Sequence, residues 1–249
     1  MPEYADIFLL FGVGLLAGVL NVMAGGGSTL TVPVLLFLGL DGATANGTNR
    51  VAIFVQNIFA VLSFRREKVS RLEQSLIFAV WALPGAVLGA VAAVRVSDEW
   101  FERILAVIMI GVVISMIIPR SRDKETTNEG VKTWWIYPAL FGIGFYGGFI
   151  QVGVGFLFMA AFYHLLRMNL VFVNMHKVTV VLFYTVPALA IFAWTGHVDW
   201  GLGLSLAVGN ALGAWWAARL AVRRGEKVIR IVLVAAILLM ATKLLVDSL

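Results

Sequence analysis

Hydrophobic positions in this chain come in long unbroken stretches, without the strict alternation of strands or the three-to-four spacing of a surface helix. Ile7 to Leu40 and Thr133 to Leu166 run for 34 residues each without Asp, Glu, Lys or Arg, and Gln74 to Val94 and Val178 to Val198 for 21 each. Trp200 to Ala218 adds 19. Each run reaches the roughly 20 residues that cross a bilayer. A straight helix of the longest kind would measure about 51 Å against a hydrocarbon core of roughly 30 Å, so the two longest runs must break or fold back. Glycine marks where: Gly25, Gly26 and Gly27 in the first, Gly147, Gly148, Gly153 and Gly155 in the second. Glycine is costly in a helix interior and permits left-handed backbone.

The pattern predicts a folded pair at about 7–40 and spans at about 45–64, 74–94 and 103–119. A second folded pair follows at 133–166, with spans at about 171–194, 199–218 and 228–247. This is an all-α polytopic membrane protein of about 8–10 membrane segments, each half a glycine-broken or re-entrant pair plus three transmembrane helices. The first repeat covers 1–119, a cytoplasmic linker 120–132 and the second repeat 133–249. Residue identities support the halves independently: Phe11-Gly12, Gly14 and Gly18 match Phe141-Gly142, Gly144 and Gly148 at one offset, with Asn21 opposite Gln151 and Gly25 opposite Gly155. Asn46 then aligns with Asn174, and Leu88-Gly89-Ala90 with Leu212-Gly213-Ala214.

Composition sharpens the class. Charged residues make up 13% of the 249 and cysteine is absent, against roughly 25% charged in a soluble domain. No cysteine means no disulfide framework and no thiolate metal site. The pI near 9.7 does not indicate nucleic acid, because the bases sit in short clusters between apolar runs. Arg65, Arg66, Lys68 and Arg71 form one cluster and Arg120, Arg122, Lys124 and Lys132 another. Arg167 stands alone, and Arg219, Arg223, Arg224, Lys227 and Arg230 complete a cytoplasmic set under the positive-inside bias. Alternation of these clusters makes the two repeats inverted, in a multi-pass protein of the inner or plasma membrane. The first run follows Glu3 and Asp6 and lacks a basic leader, so it reads as a membrane segment and not as a cleaved signal.

Inverted repeats with broken helices indicate a secondary transporter whose site lies near the midplane. The chain also resembles the sulfite exporter TauE/SafE family. The resemblance is carried by Gly14 to Gly18 followed by Asn21-Val22-Met23-Ala24-Gly25-Gly26-Gly27-Ser28 and Thr31-Val32-Pro33. It continues through Ala45-Asn46-Gly47-Thr48-Asn49-Arg50 and Pro84-Gly85 to Gly89, with a weaker echo across the second half. It implies transport of a small sulfur-containing or carboxylated anion such as sulfite, a sulfonate, sulfoacetate or thiosulfate. Gln151-Val152-Gly153-Val154-Gly155 departs from the triple glycine, so the two breaks need not be equivalent.

Candidate chemistry follows from which charges topology leaves over. All 14 acidic residues lie at termini, in loops or at segment ends, which weighs against a cation antiporter built on membrane carboxylates. Arg50 and Lys177 are the two bases that membrane topology does not explain. An ionised guanidinium suits an oxyanion, and snorkelling to an interface is the competing role for both bases. Helical spacing groups Asn46, Asn49 or Arg50, and Asn57, with Gln56 beside them, and separately Asn174, Lys177, Tyr184 and Thr185. Such stripes either face a central cavity or bond between helices. A second half-helix starting at Ser28 or Thr29 would turn its amides and positive dipole end toward an anion. The substrate-binding candidates are therefore Asn21, Gly25, Gly26, Gly27, Ser28, Asn46, Thr48, Asn49, Arg50, Gln151, Asn174, His176 and Lys177.

His176 beside Lys177 is a candidate for proton coupling. Trp100, Trp134, Trp135, Trp194 and Trp200 suit an aromatic belt, while Trp215 and Trp216 are placed deeper, along the path. Gly85–Gly89 and Gly209–Gly213 can pack within one chain or in a homo-oligomer. No catalytic triad, metal cluster, cofactor motif or P-loop is present, so the chain is read as a transporter and not an enzyme. The partners expected are the bilayer and a small anion, not nucleic acid. A passive anion channel and a carboxylate carrier are the alternatives; a membrane-embedded enzyme lacks the buried acids it would need.

Overall fold

The computed structural model of the chain describes residues 4–97, 99–101, 103–104, 107, 133–225, 227–229 and 231–232. The predicted spans at 103–119 and 228–247 and the 120–132 linker lie almost wholly outside them. Among the described residues the structure is helical throughout. In the first half, α1 (Tyr4–Met23) breaks at Ala24–Gly27 into α2 (Ser28–Phe37), followed by α3 (Gly42–Arg66) and α4 (Leu72–Ala93). In the second, a short 3-10 turn (Thr133–Trp135) leads into α5 (Ile136–Phe149), which breaks at Ile150–Gly153 before α6 (Val154–Leu165). The long helices α7 (Leu170–Trp194) and α8 (Trp200–Arg224) follow.

Caps in the sequence set several of these boundaries. Asp41 accepts the Thr44 amide at the start of α3, Asn169 the Val171 amide at α7 and Asp199 the Leu202 amide at α8, each supplying an acceptor that the first helical turn lacks. Among the described residues three helices, α1, α4 and α7, are long and apolar enough to cross a membrane. Equally long, α3 tolerates Asn46, Thr48, Asn49, Arg50, Gln56 and Asn57 because these side chains are buried within the bundle. The outer surface is apolar instead: Phe8, Leu16, Phe37, Val80 and Trp194 stand exposed, an array that a soluble protein would bury.

The two halves pack by exchange. Helix α1 lies along α8 and α4 along α5, while α3 packs on α8 and α4 on α7, with α3 and α7 in contact. The paired interfaces share their chemistry, because backbones approach closely where side chains are absent. Gly14 and Gly18 of α1 sit on the carbonyls of Leu206 and Asn210, and Gly209 and Gly213 of α8 on those of Phe11 and Leu15. Gly144 and Gly148 of α5 meet Ala82 and Ala86, and Gly85 and Gly89 of α4 meet Phe141 and Phe145. The small-residue faces that the sequence left open to packing between chains are thus filled inside this one.

These contacts also fix direction. Thr48 of α3 accepts the Asp199 amide and Ser63 donates to the Trp215 carbonyl, so α3 and α8 run parallel. Gly47 lies against Phe192 and His197, so α3 and α7 are antiparallel. Helix α2 returns to the end where α1, α3 and α8 begin, because Leu10, Val32, Leu35, Ala45 and Leu202 share one cluster. From the opposite end, α5 enters and α6 returns, placing Phe162 against Phe78 and His176 near the starts of α4 and α7. Both broken pairs are therefore re-entrant hairpins, and they enter from opposite ends.

At the end where α3 and α8 finish, Glu67 accepts from Arg223 and pairs with Arg219. The Arg223 hydrogen bond holds the Glu67 carboxyl below its ordinary range. A depressed carboxylate stabilises the fold above its unfolded titration range and loses that contribution as pH falls through its folded value. Glu67→Gln should therefore lower the melting temperature slightly at neutral pH, with the deficit vanishing in acid; a deficit unchanged in acid would contradict the pairing.

Candidate functional site

The two hairpin tips cross at the centre of the bundle. Gly25 and Gly155 touch backbone to backbone, and a methyl group on either would overlap the backbone of the other hairpin. Gly25 holds φ +91° and Gly153 φ +73°, left-handed conformations that glycine adopts without strain. Gly147 and Gly148, which the sequence reading placed at the second break, lie inside α5 instead. They serve packing, Gly147 against the Tyr184 hydroxyl and Gly148 against Ala86.

Each break carries an amide that ties it to the long helix of its own half. Asn21 donates from Nδ2 to Gln56 Oε1 at 3.0 Å and accepts the Gly27 amide at 2.9 Å, so one side chain spans α1, the break and α3. At the equivalent place in the second half Gln151 Nε2 donates to the Tyr184 hydroxyl at 3.1 Å. Ser28 opens α2 and accepts from Asn49 Nδ2 at 3.2 Å, while Thr31 donates to Asn49 Oδ1 at 2.7 Å. Asn21, Gly25 to Gly27, Ser28, Asn49 and Gln151 are thus gathered at the two tips, with Gln56 and Tyr184.

A break inside a membrane exposes C-terminal carbonyls that no water can satisfy, and here the opposite half satisfies them. Arg50 is fully buried; its Nη2 donates to the Gly148 carbonyl at 2.6 Å and Nη1 to Gln151 Oε1 at 3.3 Å. Asn46, one turn earlier, donates from Nδ2 to the Phe149 carbonyl at 2.8 Å. Arg50 and Asn46 of α3 thereby cap α5. Conversely, Lys177 of α7 caps α1, donating from Nζ to the Asn21 and Val22 carbonyls at 2.9 and 2.8 Å and to Asn174 Oδ1 at 2.9 Å. Neither base snorkels, and each sits at the negative end of a helix dipole.

The two bases differ in what they have left. The three protons of Lys177 are all engaged. Arg50 Nε has no partner, and neither does Asn46 Oδ1, although both are buried. The Phe192 ring lies 4.7 Å from the Arg50 guanidinium carbon and covers it with a cation–π contact. Phe192 carries no signal in the sequence that would single it out. The partner carbonyls of Gly148 and Phe149 were equally hidden, since they belong to a different half.

Other candidates lie elsewhere. The Thr48 hydroxyl receives the Asp199 amide at the α7–α8 turn. His176 sits between α4, α6 and α7, with Nδ1 2.8 Å from Ser75 Oγ and Phe78 and Phe162 beside its ring, apart from the hairpin tips. Asn57 closes on its own helix through the Ile53 carbonyl. Trp216 is exposed and Trp215 packs on Phe59 and Arg66, so the pair faces outward where the sequence reading placed it along the path.

The charge balance at the crossing is positive. Two helix N-termini and two C-termini contribute roughly half a charge each, of opposite sign, and cancel. Arg50 and Lys177 remain, and among the described residues no Asp or Glu is buried. The hairpins also turn the N-termini of α2 and α6 inward, and helix N-termini of this kind favour anions.

Inverted halves, crossed re-entrant hairpins and a buried cationic centre define a helical membrane transport protein. The chain belongs to the sulfite exporter TauE/SafE family, whose profile matches residues 10–244. Among its relatives it is 30% identical to the probable membrane transporter protein YfcA of Escherichia coli, over 96% of this chain and 90% of that protein. It is 29% identical to the probable membrane transporter protein ORF9 of Sinorhizobium sp (96% and 92%) and 26% to a probable membrane transporter protein of Haemophilus influenzae (96% and 94%). No solved structure matches the chain significantly.

Proposed function

We propose that this protein is a secondary transporter of the inner membrane that carries a small sulfur oxyanion, of the sulfite or organosulfonate class, by alternating access. The observation that carries the reading is the fully buried Arg50 at the tip of α5, its Nε without a partner and, among the described residues, no buried carboxylate beside it. Substrate binds where the hairpins cross, against Arg50 and the inward N-termini of α2 and α6. Asn21, Ser28, Asn49 and Gln151 shape the tips around it, while Lys177 and Asn174 hold the α1 tip in place behind them. The repeats at 1–119 and 133–249 are the bodies that move, joined by 120–132.

Contact between Gly25 and Gly155 favours a carrier over an open pore, since the crossed tips bar a continuous path until they part. Reconstituted vesicles test this directly. Labelled sulfite should enter faster when unlabelled sulfite is trapped inside, with flux saturating in substrate. Non-saturating flux without that acceleration would identify a channel.

A further inference from the structure

We infer, building on the anion site above, that the ligand held at Arg50 is a singly protonated oxyanion, with Asn46 as the residue that reads its proton. The argument starts from two buried atoms that have no partner, Arg50 Nε and Asn46 Oδ1. An unmade hydrogen bond on a buried polar atom costs about 1–3 kcal/mol, so such atoms call for a partner. The two belong together: Asn46 and Arg50 lie one turn apart on α3, and their other polar atoms hold the consecutive carbonyls of Phe149 and Gly148.

Their chemical roles are fixed. A guanidinium Nε is a donor only. The Asn46 amide cannot be turned over, because its other atom faces the Phe149 carbonyl, which can only accept; the free atom is therefore the oxygen, an acceptor. The vacant pair asks for a group that accepts at one atom and donates at its neighbour. A fully deprotonated oxyanion satisfies Nε and repels Oδ1. A hydrogen oxyanion, such as hydrogensulfite, satisfies both, its anionic oxygen on Nε and its proton on Oδ1.

The same pairing separates the roles of the two buried bases. Lys177, with every proton committed, positions the α1 tip and makes no contact with the anion. The titratable group beside Arg50 is Tyr184 of α7; Tyr146 of α5 has its hydroxyl committed to the Val152 carbonyl, and His197 and Asp199 of the α7–α8 turn lie against Gly47 and Thr48, earlier on α3. Lys177 lies at the other tip. A pH effect must therefore be shown to come from the ligand, and methanesulfonate provides the control, carrying one charge and no transferable proton.

The experiment is calorimetric binding of sulfite and of methanesulfonate to the purified full-length protein across the second ionisation of sulfite, repeated with Asn46→Ala. Affinity per total sulfite should fall about tenfold per pH unit above that ionisation, while methanesulfonate binds more weakly and without that dependence. Asn46→Ala should reduce hydrogensulfite to the level that methanesulfonate reaches in the same variant. Sulfite binding that does not change with pH, or a preference for hydrogensulfite that survives Asn46→Ala, would overturn the inference and leave the anion site standing; water alone would then occupy the pair. Failure of both anions to bind would remove the anion site itself. Should Asn46→Ala not fold, Asn46→Leu, of similar size and without an acceptor, serves the same comparison.

Discussion

Lys177→Met is expected to lower the melting temperature of the detergent-solubilised protein by about 10 °C or more. The substitution keeps an apolar chain of similar length and removes one nitrogen. That nitrogen alone serves the Asn21 and Val22 carbonyls and Asn174 Oδ1. Orphaning three buried acceptors costs about 1–3 kcal/mol each, and each kilocalorie is worth about 2–4 °C for a domain of 150–250 residues. Lys177→Arg retains the charge and a donor fork and should recover part of the loss. A melting temperature within a degree or two of the parent would mean that the α1 carbonyls find other partners, and that Lys177 is free for another role.

The second large effect is expected at the crossing of the hairpins. Gly155→Ala places a methyl group against the Gly25 backbone, which has no flexible side chain to move aside. Gly25→Ala does the same to Gly155 and adds the cost of a left-handed φ, about 1–2 kcal/mol for a residue with a Cβ. Overpacking alone costs about 1–3 kcal/mol. Gly155→Ala should therefore fold with a clearly lowered melting temperature, and Gly25→Ala should give little monodisperse protein on size exclusion. Gly142→Ala, which meets open space, is the control and should behave as the parent. Equal behaviour of all three variants would show that the tips do not touch in the membrane.

Much of this architecture is legible in the chain, and the reasons are physical. A run of 34 residues without Asp, Glu, Lys or Arg exceeds a bilayer, so re-entry or a kink follows from length alone. The inverted halves show in matched glycines, because close helix packing leaves the same requirement at Gly14 and Gly144, Gly18 and Gly148, and Gly89 and Gly213. What glycine does at a given place is less legible. Gly148 and Gly153 look alike in sequence, yet one fits a helix against Ala86 and the other turns the chain at positive φ. Leftover charge was enough to single out Arg50 and Lys177, but not their work. Each caps a helix of the other half, and no local pattern in α3 or α7 says which helix end will lie beside it. His176 stands next to Lys177 in sequence, yet on a helix successive residues point apart, and its ring turns to Ser75 and the phenylalanines.

These placements assign the two buried bases different tasks. Lys177 is consumed by structure, whereas Arg50 both caps α5 and keeps a donor for the substrate. The most direct test is sulfite binding to purified Arg50→Lys, which keeps the charge and can still reach the Gly148 carbonyl but lacks Nε and the second arm. Affinity should fall about tenfold or more, the worth of one charge-assisted hydrogen bond, at a melting temperature close to the parent. Parental affinity in a folded Arg50→Lys protein would contradict the account and move the substrate away from the tip of α5.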